Sequence, residues 1–183
     1  MIPSEDFSVL KRESVLDLGF LGVTKRTIKG PDGGAFDRIV VEHPGAVAVV
    51  PIIGTDVVLL RQYRAAAGDR ILEIPAGKLD IAGEDLEEAA RRELEEEAGL
   101  TGGTITKLTS IWTSVGFSDE RITIFMIEEP SDGLRSPVGP EETDAEVVRM
   151  PLTEAVSLVA SGVVSDAKTV AGILLAIHHR DAS

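Results

Sequence analysis

Between Glu84 and Gly99 the chain carries a pattern that only a helix reconciles. Leu86, Ala89, Ala90 and Leu94 recur at helical spacing and form one apolar stripe. Glu93, Glu96 and Glu97 stand three and four positions apart, so on that helix they share a face. Gly99 is a natural stop, because glycine takes the left-handed conformation without Cβ strain. Like charges at this spacing destabilise an isolated helix by roughly 0.2–0.5 kcal/mol per pair. A hard divalent cation suits an all-oxygen carboxylate cluster. Arg92, four residues from both Glu88 and Glu96, can pair with either and hold the cluster in place. A glutamate run is also the ordinary makeup of a solvated helix face. Taken by itself, the run leaves both readings open.

Around this helix the chain alternates strand and turn signals. Ala46 to Ile53 and Val57 to Leu60 are nearly continuous apolar runs about Gly54-Thr55-Asp56, which predicts two buried strands and a tight turn. Further strands are expected at Ile105 to Thr113, Thr123 to Ile127 and Val147 to Met150. Closing helices are expected at Pro151 to Ala160 and Asp166 to His179, with Gly162 between them. Upstream, Val23 to Ile28 and Phe36 to Glu42 flank the turn cluster Lys29 to Gly34 and predict a hairpin. No clean βαβ repeat is present, so the class is α+β, or an α/β sandwich. The expected organisation is a strand-rich arm over residues 1–42 and a main domain over 43–183.

Composition narrows the function. The chain has 183 residues, 43% hydrophobic and 27% charged, enough for a sizeable core. Its 18 basic and 31 acidic residues give a formal charge of −13. That balance argues against sequence-independent nucleic-acid binding, which needs basic surface to replace phosphate counterions. Cysteine is absent, which removes disulfides, thiolate metal sites and cysteine nucleophiles and fits a reducing compartment. No run approaches the roughly 20 apolar residues of a membrane span, and Met1 to Asp6 lacks a signal-peptide pattern. A cytoplasmic setting is therefore expected. Neither G-x4-G-K-S/T nor G-x-G-x-x-G occurs, and His43, His178 and His179 match no zinc-protease spacing.

The whole pattern around the helix resembles the box of the Nudix hydrolase family, G-x5-E-x7-R-E-U-x-E-E-x-G-U with U aliphatic. From Glu84 the match is complete: seven residues, Arg92-Glu93, Leu94, Glu96-Glu97, Gly99 and Leu100. One departure is visible, since six residues rather than five separate Gly77 from Glu84. An insertion in that loop leaves the helical phase of the later carboxylates untouched. Leu72 to Gly77, Gln62-Tyr63-Arg64 and Gly116-Phe117-Ser118-Asp119-Glu120 resemble segments of the ADP-ribose pyrophosphatase branch, with Val115 where that branch has proline. The similarity spans approximately residues 40 to 180.

The resemblance implies an α/β/α sandwich with a mixed sheet and a Mg²⁺-dependent pyrophosphohydrolase, with Mn²⁺ able to substitute. Its metal ligands would be the Ala76 carbonyl, Glu93, Glu96 and Glu97, with Arg92 holding the cluster. Cations there would explain how a chain of this charge binds a polyanion. A water would attack phosphorus of ADP-ribose and release AMP and ribose 5-phosphate. Glu142 is the expected general base and Glu141 its alternate, unless both are ordinary loop glutamates. Arg64 would bind phosphate or serve as a surface ion-pair partner. Glu73 would accept hydrogen bonds from adenine or ribose, and Phe117 or Tyr63 would stack on adenine or sit in the core. Ser118, Asp119 and Glu120 lie in the loop expected to reach the terminal ribose. The strand-rich arm implies a homodimer. Other nucleoside diphosphate derivatives (an ADP-sugar, a GDP-sugar or NADH) and a non-catalytic ADP-ribose-binding regulator remain the alternatives.

Overall fold

Apolar runs without alternation need cover on both faces, and the chain supplies it. The structure is a computed structural model that describes residues 6–182. They form two units: the described residues up to Gly45 with Trp112–Arg121, and Ala46–Ile111 with the described residues from Ile122 onward.

The first unit is built on an antiparallel sheet of β1 (Ser8–Asp17), β2 (Gly22–Lys29) and β3 (Ala35–Glu42), in that order. The turn between β2 and β3 closes through Gly30 N–H to the Gly34 carbonyl at 2.7 Å, and Asp32 accepts from Gly34 N–H at 2.9 Å. The expected hairpin is thus present, with β1 added along the free edge of β2. All ten residues of β1 are exposed. The segment Trp112–Arg121 of this unit is tied to β3: Val41 N–H donates to the Phe117 carbonyl at 2.7 Å, and Asp119 N–H donates to the Val41 carbonyl at 3.1 Å.

In the second unit β4 (Ala46–Ile53), β5 (Asp56–Arg64), β6 (Asp69–Glu73) and β7 (Ala76–Lys78) precede α1 (Leu86–Ala98). Then come β8 (Leu100–Thr101), β9 (Thr104–Trp112), β10 (Arg121–Glu128), β11 (Ser131–Asp132), α2 (Pro140–Thr143), β12 (Glu146–Pro151), α3 (Leu152–Ala160) and α4 (Ala167–Asp181). The main sheet runs β12-β5-β4-β10-β9, with β6 on β5 and β7 on β4, while β8 and β11 pair separately. β4 and β10 are parallel and β4 and β5 antiparallel, so the sheet is mixed.

Successive residues of β4 point to opposite faces and meet different helices. Val47 and Val49, with Val58, Phe125 and Ile127, form a core with Ala89, Ala90, Leu94 and Ala98 of α1. Ala48, Val50 and Ile52, with Leu59, Ile124 and Met126, form another with Leu152, Ala155, Ile173 and Ala176 of α3 and α4. This is the expected α/β/α sandwich, and it explains why β4 lacks a polar face.

Most element ends shift by a residue or more from expectation, and at two helix starts the local cause is plain. The helix expected from near Glu84 begins at Leu86, because the Asp85 side chain caps it by accepting from Glu87 N–H at 2.8 Å. Pro151 stays extended at φ −54° and ψ 135°, so α3 starts one residue later than expected. The short strands β6 and β7 were not anticipated. Among the described residues no helix is long and apolar enough to cross a membrane.

Candidate active site

The second unit places the acidic face of α1 beside β7. Two close approaches make this possible. Gly77 has no side chain, and a Cβ there would sit 1.9 Å from the Glu93 carboxyl carbon. Ala76, the preceding residue, donates its N–H to Glu97 Oε2 at 2.8 Å. At the helix end Gly99, at φ 66°, donates to the Glu95 and Leu94 carbonyls and turns the chain away.

Glu93 and Glu97 are 8% and 4% exposed, unusual values for carboxylates. Burial pushes Glu97 up to about 8, against the Ala76 N–H, which favours the charged form. Glu93 is also raised by burial, partly offset by Arg92. The charge of Glu142 raises both, which puts that carboxylate in electrostatic reach of the pair. Glu141 is exposed and is not among the leading influences on either carboxylate. The Glu142 side chain accepts from Val138 N–H at 2.6 Å.

Arg92 organises the remaining acids. Its Nε and Nη2 grip Glu84 at 2.9 and 3.0 Å, and its Nη1 reaches Glu93 at 2.6 Å and Glu96 at 3.2 Å. Of its two expected partners the structure therefore selects Glu96, and it adds Glu84. Glu84 is held below the usual carboxylate range by this contact, and the Arg92 guanidinium is raised. Among the described residues no three acidic or histidine side chains converge into a ready-made metal cage. Yet the donors present fit a hard cation. They are all oxygens, two are buried, and the charge that burial makes costly at Glu97 is what a cation would stabilise.

A second polar cluster lies in the same unit. Glu73 is 1% exposed, and both its oxygens are engaged. Arg64 binds it in a two-pronged contact at 2.7 and 2.9 Å, and Lys168 Nζ approaches Oε2 at 2.5 Å. Lys168 also reaches Asp166 at 3.0 Å, and Asp166 caps α4 by accepting from Thr169 N–H at 3.0 Å. The Thr169 hydroxyl accepts from Ile74 N–H at 2.9 Å and so joins the helix cap to the strand end beside β7. Burial pushes Asp166 upward, but Lys168 and Thr169 outweigh it and hold the carboxyl below its usual value. Glu73 thus anchors Arg64, whose side chain remains 40% exposed. Tyr63, next to it in sequence, is exposed.

Phe117, Ser118, Asp119 and Glu120 belong to the other unit. Asp119 accepts from Arg26 at 2.8 Å and from His43 N–H at 3.0 Å. Glu120 accepts from the Thr113 hydroxyl at 2.6 Å, and its own N–H donates to Ser118 Oγ at 3.2 Å. Phe117 is 58% exposed, so its ring is not core.

Sequence reasoning missed Lys168, Asp166, Thr169 and Arg135. The spacing Asp166-x-x-Thr169 is a helix N-cap signal that was there to be read. Nothing local marks Lys168 or Arg135, since the bond from Lys168 to Glu73 and that from Arg135 to the Glu97 carbonyl join segments far apart along the chain.

Comparison with known proteins agrees with this geometry. The NUDIX domain family model matches residues 42–172. An ADP-ribose pyrophosphatase of Bacillus subtilis (strain 168) is 38% identical over 161 residues, 87% of this chain and 86% of that one. An ADP-ribose pyrophosphatase of Mycobacterium tuberculosis (strain ATCC 25618 / H37Rv) is 34% identical over 174 residues, covering 94% and 84%. The crystal structure of an ADP compounds hydrolase superposes with a TM-score of 0.84 at 22% identity over 97% of this chain and 96% of that one, a likeness of fold. With its box helix, mixed sheet and these relatives, the chain belongs to the NUDIX domain family of hydrolases.

Proposed function

We propose that this protein hydrolyses ADP-ribose to AMP and ribose 5-phosphate with a divalent cation, Mg²⁺ or Mn²⁺. The observation that carries the proposal is the buried pair Glu93 and Glu97 within reach of the Glu142 charge, in a chain whose relatives include ADP-ribose pyrophosphatases. Glu93, Glu97, Glu96 and the Ala76 carbonyl would hold the cation. When bound, it supplies positive charge to the pyrophosphate oxygens and lowers the pKa of water.

The chain's own residues do the rest. Glu142 accepts the proton of the attacking water as its oxygen bonds to phosphorus and the bridging P–O bond breaks. Arg92 fixes Glu93 and Glu96 and keeps their oxygens oriented. Arg64, held from behind by Glu73, offers its guanidinium to a phosphate oxygen. Phe117, Ser118, Asp119 and Glu120 are further substrate contacts in this proposal, Phe117 through its exposed ring.

A homodimer is part of the same reading. The exposed apolar residues of β1, among them Leu10 at 57% and Val15 at 59%, form a surface that a monomer would leave in water. Light scattering should give twice the chain mass, and a fully active monomer would contradict this. The cysteine-free composition suits a cytoplasmic setting.

The test is turnover of ADP-ribose, ADP-glucose, GDP-mannose and NADH with Mg²⁺, products being separated chromatographically. AMP formed chiefly from ADP-ribose supports the proposal. Preferential release from another compound moves the specificity, and binding of ADP-ribose without turnover leaves a regulator instead.

A further inference from the structure

We infer that Arg135 is a positioning residue that sets the place of Glu142, and that residues 133–136 strap the Glu142 turn to the end of α1. The inference rests on Glu142 being the base. A helix leaves its last carbonyls without intrahelical partners, and a buried end must find them elsewhere. In α1 the Glu96 carbonyl accepts from Ser136 N–H at 3.1 Å and the Glu97 carbonyl from Arg135 Nε at 2.6 Å. Just beyond, the Gly99 carbonyl accepts from Gly133 N–H at 2.8 Å.

The strap lies flat against the helix end. A Cβ at Gly99 would meet Arg135 Cβ at 3.2 Å and Arg135 N at 3.3 Å. α1 has no basic residue in its last turn, so Arg135 brings from another segment the cation that a helix C-terminus favours.

The same guanidinium reaches onward, its Nη2 donating to the Glu142 carbonyl at 2.6 Å. A rigid planar fork therefore fixes the backbone of Glu97 relative to that of Glu142. The turn needs such a tether. α2 spans only Pro140–Thr143 and none of its residues is buried, so no core holds it. Arg135 acts on the reaction through Glu142, and its role is to keep that carboxylate at a working distance.

Steady-state kinetics on ADP-ribose with Mg²⁺ would compare Arg135→Ala, Arg135→Lys, Glu142→Gln and the Arg135→Ala/Glu142→Gln double variant. Arg135→Ala should lower kcat by about 10–100-fold, the scale of a catalytic group misplaced by an ångström, with little change in KM. Arg135→Lys should lose less, since an ammonium can hold one carbonyl of the two. In the Glu142→Gln background Arg135→Ala should cost nothing further. Amide exchange on the metal-free chain gives a readout independent of turnover. Val138 and Ala145, whose N–H groups both bond to Glu142, should exchange faster in Arg135→Ala while core amides such as that of Leu94 do not.

Unchanged kcat in Arg135→Ala, losses that multiply in the double variant, or uniformly faster exchange would each overturn the inference. Full activity in Glu142→Gln would instead remove the base assignment on which it stands.

Discussion

Two buried carboxylate clusters occupy the second unit, and they resolve the same problem in opposite ways. Around Glu73 and Asp166, two acids meet two bases, Arg64 and Lys168, and every carboxylate is bonded within the chain. Asp166 is accordingly held below its usual pKa. Around α1, Glu84, Glu93, Glu96, Glu97 and Glu142 share a face or its surroundings with Arg92 bonded among three of them. There burial wins, and Glu97 is pushed up to about 8. Desolvation acts on both clusters, so it does not separate them. Charge balance does. The first cluster is complete in itself and holds structure together, whereas the second is left in want of positive charge from outside, which is the physical ground for proposing it as the reaction centre.

The comparison breaks most visibly at Glu97. Glu97→Gln should lower kcat/KM for ADP-ribose by about 10³-fold, since several kcal/mol of charge stabilisation are lost with a cation ligand. The same change should leave the melting temperature of the metal-free protein unchanged or higher, because a neutral amide is cheaper to bury than a carboxylate. If Glu97→Gln lowers the melting temperature and keeps its activity, the two clusters have been assigned the wrong way round.

Lys168→Met tests the other side. It removes one cation from the balanced cluster and leaves Glu73 to Arg64 alone. Breaking a buried pair costs about 3 kcal/mol or somewhat more, which for a chain of this size lowers the melting temperature by on the order of 10 °C. Differential scanning calorimetry would read this. The Mg²⁺ dependence of turnover should survive at temperatures where the variant is folded, and its loss would place Lys168 in the reaction centre.

How much of this was legible beforehand follows from the range over which each signal acts. α1 was readable because its period, its stop at Gly99 and its acidic face all lie within one stretch of chain. β4 was readable because continuous apolar sequence leaves no face for water. The strand carrying Glu73 was not. Asp69–Glu73 is five residues long and three of them are charged, so its pairing with β5 has no local signature. The anchoring of Arg64 by Glu73 depends on that pairing, and the bond from Lys168 to Glu73 crosses 95 positions. Arg135 is similar, a loop cation whose targets are backbone carbonyls on two other elements. Glu142 was expected ahead of Glu141 from the family resemblance, with no local signal in the chain to separate the two neighbours. The turn through Pro140–Thr143 sends the charge of Glu142 toward Glu93 and Glu97, a matter of a single residue's phase.

The smallest expected effect is also the sharpest test of why the two clusters differ. Glu97 holds its proton to about pH 8 when folded, against 4.5 for a free glutamate side chain. Between those values the folded chain carries a proton that the unfolded chain has released, so stability falls as pH rises through this window. Glu93, raised by the same burial, adds to the slope with the same sign. Glu84, Asp119 and Asp166 are lowered, so their contributions are lost only in more acidic solution and do not mask it. Without metal, the melting temperature should therefore decline by on the order of 5 °C between pH 5 and pH 8.5. A bound cation requires the ionised carboxylate, so Mg²⁺ should add little at pH 5 and progressively cancel the decline above pH 7. In Glu97→Gln most of the slope and most of the Mg²⁺ response should vanish together. In Lys168→Met both should persist, on a melting curve displaced downward. A slope that survives in Glu97→Gln would mean that the titrating group lies elsewhere, and the contrast between a balanced and an unbalanced cluster would lose its physical basis.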